Sequence, residues 1–168
     1  VARALEARAK ADPRWEVMCL ALGDREEERT FHRMASDVFS SFLAPDASQP
    51  GKYDDSNKVV QSQSVPVSTV NALWPQIKER LGVKHLLLKM DTQGYDLNVF
   101  AGADARLADI PALMSELSCI RIYAGAPSYR EALDAYAEKG YGPSMLVPIS
   151  FDERHSAIEF DALLVRKA

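Results

Sequence analysis

Apolar and polar positions along this chain fall into blocks whose period changes, and each change marks an element. Ala2, Leu5 and Ala9 recur at helical spacing, and the helix they predict ends at Asp12-Pro13, because proline lacks the N–H that would continue the ladder. Trp15 to Leu22 is a nearly continuous apolar run closed by Gly23-Asp24, which reads as a buried strand. The periodicity then weakens. A short strand at Thr30 to Met34, a Ser-rich stretch at Ser36 to Phe42 and a Pro/Asp/Gly/Ser loop from Ala44 to Asn57 make residues 25–58 a loop-rich insertion. Val59 to Val65 alternates like an exposed or edge strand, and Ser68 or Thr69 can cap a short helix that Pro75 interrupts and Gly82 ends.

The pattern sharpens from Lys84 onward. Leu86-Leu87-Leu88 is an apolar run between polar flanks, as expected of a central parallel strand covered on both faces, and it stops at Asp91-Thr92-Gln93-Gly94. A helix follows from about Tyr95 to Ala101, then a second buried strand from Ile110 to Leu117 and a loop through Tyr123 to Pro127. Ser128 and Glu131 form a capping box ahead of an apolar stripe at Tyr129, Leu133, Tyr136 and Ala137, and Gly140 supplies the stop. Met145 to Ile149 and Ile158 to Val165 then read as two strands around the charged turn Ser150 to Ser156, an antiparallel hairpin whose last strand inserts into the sheet. The succession predicts a single α/β domain over 1–168, three-layered, with a mainly parallel sheet. Ligands of such sheets sit at the carboxyl ends of the strands. That rule singles out Asp24, Asp91 to Gly94, and Glu116 to Ser118.

Composition narrows the field without naming a function. The 168 residues are 47% hydrophobic and 26% charged, enough for one globular core, and the net charge of −4 offers no basic surplus for nucleic acid. Cys19 and Cys119 form no CxxC pair and read as small buried apolar residues rather than a disulfide framework or a zinc site. No window approaches the ~18 continuous apolar residues of a membrane span, and the first residues lack a signal-peptide pattern, so the expected setting is cytoplasmic, with neither membrane nor nucleic acid as partner. Val1 lies within a helical pattern that has no start signal, which reads as processing or as a piece of a longer chain.

Among residues able to carry chemistry, Asp91 stands out, since an acid at the end of a buried strand ahead of a glycine turn places a carboxylate in the cleft. It can orient a substituent, bind a metal or accept a proton, or it can simply cap the following helix. Asp-Thr-Gln-Gly imitates the D-x-x-G element of GTPases, but neither a phosphate-binding loop nor Asn-Lys-x-Asp accompanies it. A haloacid-dehalogenase-like phosphatase would need an aspartate where Gln93 stands. Glu116 sits in an apolar strand, where an unpaired charge is costly, so it needs the strand end or a partner, and a salt bridge and substrate binding are both open. His32, His85 and His155 share no ligand spacing, Glu26-Glu27-Glu28 reads as a solvated charge run, and no G-x-S-x-G elbow or Cys/His pairing points to a covalent hydrolase.

Taken in order, Lys89-Met90-Asp91-Thr92-Gln93-Gly94-Tyr95-Asp96, Val99-Phe100-Ala101-Gly102-Ala103 and Ser115-Glu116-Leu117-Ser118 resemble the FkbM-like methyltransferases, whose run is approximately K-I-D-x-E/Q-G-x-E, V-L-x-G-A, x-E-x-S. Gly23-Asp24, Ser40-Ser41-Phe42-Leu43, Gly140-Tyr141 and Glu159-Phe160-Asp161 extend the similarity over nearly the whole chain. The departures are Met90 for an aliphatic residue, Thr92 and Gln93 where valine and glutamate are common, and Asp96 for glutamate. The resemblance implies a Rossmann-like class I methyltransferase sheet that begins after the family's first strand, its D-x-G-A-x-x-G loop and its ribose-binding second strand.

It also implies S-adenosyl-L-methionine as cofactor and O-methylation of a hydroxyl on a sugar or natural-product-like acceptor, a small molecule or glycan. Gly23 and Asp24 would face the adenine side, Asp91 and Gln93 the methyl donor, and Glu116, Ser118 and Tyr123 the substrate, with Asp91 as the catalytic residue and no metal. In-line displacement at a sulfonium needs alignment, and a base only when the acceptor is a hydroxyl. Two other readings stand beside this one. A non-catalytic module or fragment would be inactive and would not bind cofactor as an isolated chain, and a metal-dependent hydrolase on a similar sheet would need a carboxylate cluster with an ion.

Overall fold

In the computed structural model the described residues are 2–48, 53, 55–82 and 86–167. Val1, His85 and part of the loop expected between Ala44 and Asn57 lie outside them. Among the described residues four α-helices, α1 (Ala2–Ala9), α2 (Val70–Leu81), α3 (Asp96–Ala101) and α4 (Tyr129–Glu138), accompany seven strands. The strands are β1 (Ala21–Leu22), β2 (Glu27–Met34), β3 (Val59–Ser68), β4 (Leu87–Lys89), β5 (Ala112–Ser118), β6 (Tyr141–Phe151) and β7 (Ala157–Arg166). They build two sheets, β1-β3-β2 and β4-β5-β7-β6, so the chain is a mixed α/β protein. Among the described residues the sheets are not mainly parallel: β1/β3 and β4/β5 are parallel, whereas β2/β3, β5/β7 and β6/β7 are antiparallel. The reason is that both long ribbons, β2/β3 and β6/β7, join strands that run back along each other.

Local signals hold where the interactions are local. Both halves of the Ser128/Glu131 capping box form, and Thr69 caps α2 through a 3.0 Å bond from the Ala72 N–H to its Oγ1. Gly82 ends α2 at φ 57°, a left-handed conformation that suits glycine. Pro75, expected to interrupt the helix, lies inside it. A proline costs about 3 kcal/mol in a helix interior. Burial of Val70 and Trp74 on the core face, at about 1.5–3 kcal/mol each, offsets that cost. The terminal hairpin also forms as expected, with β7 between β5 and β6.

Other expectations need correction. The strand read at Trp15 to Leu22 shrinks to Ala21–Leu22, and Trp15 is 41% exposed. Among the described residues only Val67 and Ser68 of β3 lie alongside it, directly before α2 begins, and none pairs with the rest of the run. The insertion is more regular than its composition suggests. The strand expected at Thr30 to Met34 is present, and the charged residues before it extend it to the eight-residue β2, zipped to β3 from Glu27↔Val67 onward. Glu27 engages Arg25 and Arg29 while Ser64 donates to Glu28, so the acidic run is paired along a strand rather than freely solvated. β3 has the expected exposed character but is flanked on both sides at its end. β4 pairs in parallel with β5 as expected, yet it is an edge strand with Leu87 53% exposed, because β5 is its one neighbour among the described residues.

β5 is the element that positions the site. Its burial alternates, with Leu113, Ser115 and Leu117 buried and Met114, Glu116 and Ser118 half-buried. The buried set faces α3 and α4: Ser115 Oγ donates to Asp96 of α3 at 2.7 Å and lies 2.8 Å from the Tyr136 hydroxyl of α4. Glu116 therefore points to the other face, and the charge expected to be costly in an apolar strand avoids the main core. That core gathers Val99, Phe100, Leu113, Leu117, Tyr136, Tyr141 and Leu164 around edge-on aromatic contacts of Phe100 with Tyr136 and Tyr141.

Candidate functional site

Three short segments converge at the carboxyl ends of β4 and β5. The first is the turn after β4. Asp91 is half-exposed, and its Oδ2 lies 2.8 Å from Lys89 Nζ, which raises the lysine pKa chiefly through that hydrogen bond. Gln93 follows at φ 53°, an uncommon conformation for a residue with a side chain, and Gly94 at φ 86°. A Cβ on Gly94 would press on Ala126 and Tyr123 at 3.1 and 3.2 Å, so glycine serves here for close approach as well as for its backbone angle.

Gln93 is held at several points. Its backbone carbonyl accepts a 2.8 Å bond from the buried Ser41 hydroxyl, and its Oε1 accepts one of 2.8 Å from Tyr123. Its Nε2 then donates to Glu116 Oε2 at 2.9 Å and, more weakly, to Asp91 Oδ1 at 3.3 Å. The chemistry of the partners fixes this orientation, since a flipped amide would aim its oxygen at two carboxylates. A neutral amide thus bridges two acids. The Tyr123 hydroxyl also points at the Phe39 carbonyl at 2.9 Å, and burial, then the Glu159 and Glu116 charges, push its pKa up so that it remains a donor.

Beneath this turn, Asp96 is 5% exposed. Its carboxylate accepts from the Thr92 N–H at 2.9 Å, the Thr92 hydroxyl, the Ser115 hydroxyl at 2.7 Å and the Glu116 N–H at 3.1 Å. The acid thereby ties the β4 turn to β5 without any cationic partner among the described residues.

Glu116 is the carboxyl of this network that its surroundings perturb most clearly. Burial first, then the Glu159, Asp91, Asp96 and Asp161 carboxylates, push its pKa up to about 8. Neighbouring Glu159 is buried and shifted upward by desolvation, partly offset by the Ser150 and Ser118 hydroxyls. Ser118, at the end of β5, pairs with Glu159 across the sheet and borders a surface pocket with Cys119, Arg121 and Pro127. Among the described residues no three His, Cys, Asp or Glu side chains are arranged to hold a metal ion.

Gly23 and Asp24 lie beyond Tyr95. The Gly23 N–H donates to Ser68 at 2.9 Å, and its carbonyl occupies the space a Cβ on Gly102 would need, 2.0 Å away. This contact is the physical reason for a glycine at position 102. Asp24 accepts a long 3.4 Å bond from the Tyr95 hydroxyl and lies 3.8 Å from Arg25, leaving acceptor capacity unused. The structure therefore brings Asp91, Gln93, Glu116 and Tyr123 into one network, with Ser118 on its rim through Glu159 and Asp24 reached through Tyr95.

A family model described as the methyltransferase FkbM domain matches residues 4–143. The chain belongs to the FkbM methyltransferase family. No curated protein and no solved structure matches it. The FkbM match covers the β4 turn, β5 and the Ser41 segment, so the whole hydrogen-bonded network lies inside the family's domain. Sequence reasoning passed over Asp96 and Ser41 as site residues. Asp96 could have been recognised from Thr92, four residues before it, as a helix-start carboxylate. Ser41 carried no local signal, because its partner is 52 positions away. No helix among the described residues is long and apolar enough to cross a membrane.

Proposed function

We propose that this FkbM domain is an S-adenosyl-L-methionine-dependent methyltransferase acting on a hydroxyl of a sugar or natural-product-like acceptor, on a Rossmann-like three-layer scaffold. The observation that carries the reading is the Asp91–Gln93–Glu116 bridge at the strand ends, where an open α/β sheet presents its ligands. The residues suit the cofactor's chemistry. Asp24 has acceptor capacity for an adenine amino group or a ribose hydroxyl, with the Gly23 backbone beside it. Asp91 and Gln93 border the methyl end, and the surrounding acidic groups favour a cation such as a sulfonium. When bound, the cofactor supplies a methyl group on that sulfonium.

The protein's own part is alignment and proton handling. Asp91 positions or deprotonates the acceptor hydroxyl, while Glu116, Ser118 and the loop to Tyr123 border the acceptor. Tyr123 contributes through the Gln93 amide it orients. The test is Asp91→Asn in the full-length protein, assayed for S-adenosylhomocysteine formation with a panel of glycosides. Turnover should fall at least about 100-fold, the usual contribution of a positioned acid or base. Unchanged turnover would remove Asp91 from the mechanism.

A further inference from the structure

We propose that the two carboxyl groups of the bridge divide the work, Asp91 orienting the acceptor hydroxyl and Glu116 receiving its proton. The inference rests on the methyl-transfer reading above and assigns Glu116 a role beyond bordering the substrate. It begins from how the two acids are held. Asp91 has both oxygens engaged, Oδ2 by the Lys89 ammonium and Oδ1 by the Gln93 amide, and it is half-exposed. Glu116 has its Oε2 fixed by Gln93, and among the described residues no protein donor reaches Oε1. One oxygen is anchored and the other is free to take a proton.

The neighbours of Glu116 strengthen that assignment. Asp91 and Lys89 face it from β4 and its turn, Asp96 from α3, Glu159 and Asp161 from β7, and Tyr123 from the loop after β5. Among the described residues named here acids outnumber Lys89, which is committed to Asp91. Proton affinity therefore concentrates on Glu116, whose value near 8 is matched to proton transfer close to neutral pH. The Gln93 amide keeps Oε2 in place through the transfer. Tyr123 orients that amide, Ser41 holds the backbone carbonyl of the same residue, and a residue held at φ 53° is positioned by its surroundings. The step balances: the acceptor oxygen bonds to the methyl carbon as the carbon–sulfur bond breaks, the electron pair of that bond stays on sulfur, and the hydroxyl proton moves to Glu116 and then to solvent.

Two measurements on the full-length protein test the proposal. The first is carbon-13 NMR titration of the Glu116 carboxyl, which should show a midpoint near 8. Gln93→Leu, which removes a donor to the ionised form, should raise it further. A midpoint at the ordinary glutamate value, or one unmoved in Gln93→Leu, overturns the proposal without touching the methyl-transfer reading. The second is the pH dependence of methyl transfer from S-adenosylmethionine to a glycoside acceptor. Wild-type kcat should rise with pH and level off, and Glu116→Gln should lose about 100-fold or more in kcat, together with the rising limb, while KM changes little. Glu116→Asp should keep the limb at reduced kcat, and Asp91→Asn should keep it at the lowered turnover expected above. If Glu116→Gln retains wild-type kcat and the limb, Glu116 is not the acceptor. If the wild type transfers no methyl group to any hydroxyl, the functional reading fails and the proposal falls with it.

Discussion

Replacing Asp96 by asparagine removes a charge from the most heavily bonded buried acid of the site, and the cost follows from its partners. The carboxylate accepts from two backbone N–H groups, Thr92 and Glu116, and from two hydroxyls, Thr92 and Ser115. Asparagine offers one oxygen and one NH2 group. With the oxygen kept toward Thr92, the NH2 can donate to Ser115, whose hydroxyl can turn toward Tyr136, but it confronts the Glu116 N–H donor to donor. An orphaned buried donor costs about 1–3 kcal/mol, and hydrogen bonds to a charged acceptor exceed neutral ones by about 1 kcal/mol. The sum is roughly 2–4 kcal/mol, or a fall in Tm of roughly 5–15 °C for a chain of this size. Urea unfolding of wild type and Asp96→Asn at neutral pH measures the difference directly. A change within about 0.5 kcal/mol, the range of ordinary surface substitutions, would refute the claim that Asp96 ties the β4 turn to β5.

Three further outcomes are expected. Gly102→Ala should destabilise by about 2–3 kcal/mol in thermal melts despite alanine's better helix propensity, because its Cβ would lie 2.0 Å from the rigid Gly23 carbonyl; a neutral result would mean that the two segments are not in contact. Glu116 should make stability fall with rising pH. Its folded pKa of about 8 lies above the unfolded value of 4.5, so its contribution is full below pH 4.5 and is lost as pH rises through 8. After allowance for solvent screening of a half-buried group the effect is roughly 2 kcal/mol, and Glu116→Gln should flatten the decline seen in urea titrations between pH 5 and about 9. Ser128→Ala removes the cap of α4 and should cost about 1 kcal/mol by the same assay, with no change in the Glu116 titration.

How much of this could be read in advance depended on how far each interaction reaches along the chain. Ser128 and Glu131 were legible because both halves of their cap lie within four residues, and Thr69 and Gly82 marked the ends of α2 for the same reason. The order of residues from Lys89 to Ser118 was enough to point to the FkbM family. The facing of β5 was not legible, because Ala112 and Met114 on the open face are as apolar as Leu113 and Leu117 on the closed one. That ambiguity made Glu116 look more deeply enclosed than it is. The unusual backbone of Gln93 was hidden behind Gly94, which alone carries the glycine signal. Charged residues concealed the start of β2 at Glu27 to Arg29, since its strand character there comes from pairing with β3, more than thirty positions away, rather than from its own side chains. The edge position of β4 likewise depends on its neighbours and leaves no trace in Leu86-Leu87-Leu88.

The most direct test of the central claim is to identify the product. The full-length protein, S-adenosylmethionine carrying a carbon-13 methyl group and a panel of glycosides would be incubated together and followed by NMR. A carbon-13 methyl signal on an acceptor oxygen, absent with Asp91→Asn, is the expected result. A labelled methyl on nitrogen or carbon, or full O-methylation by Asp91→Asn, would contradict the account.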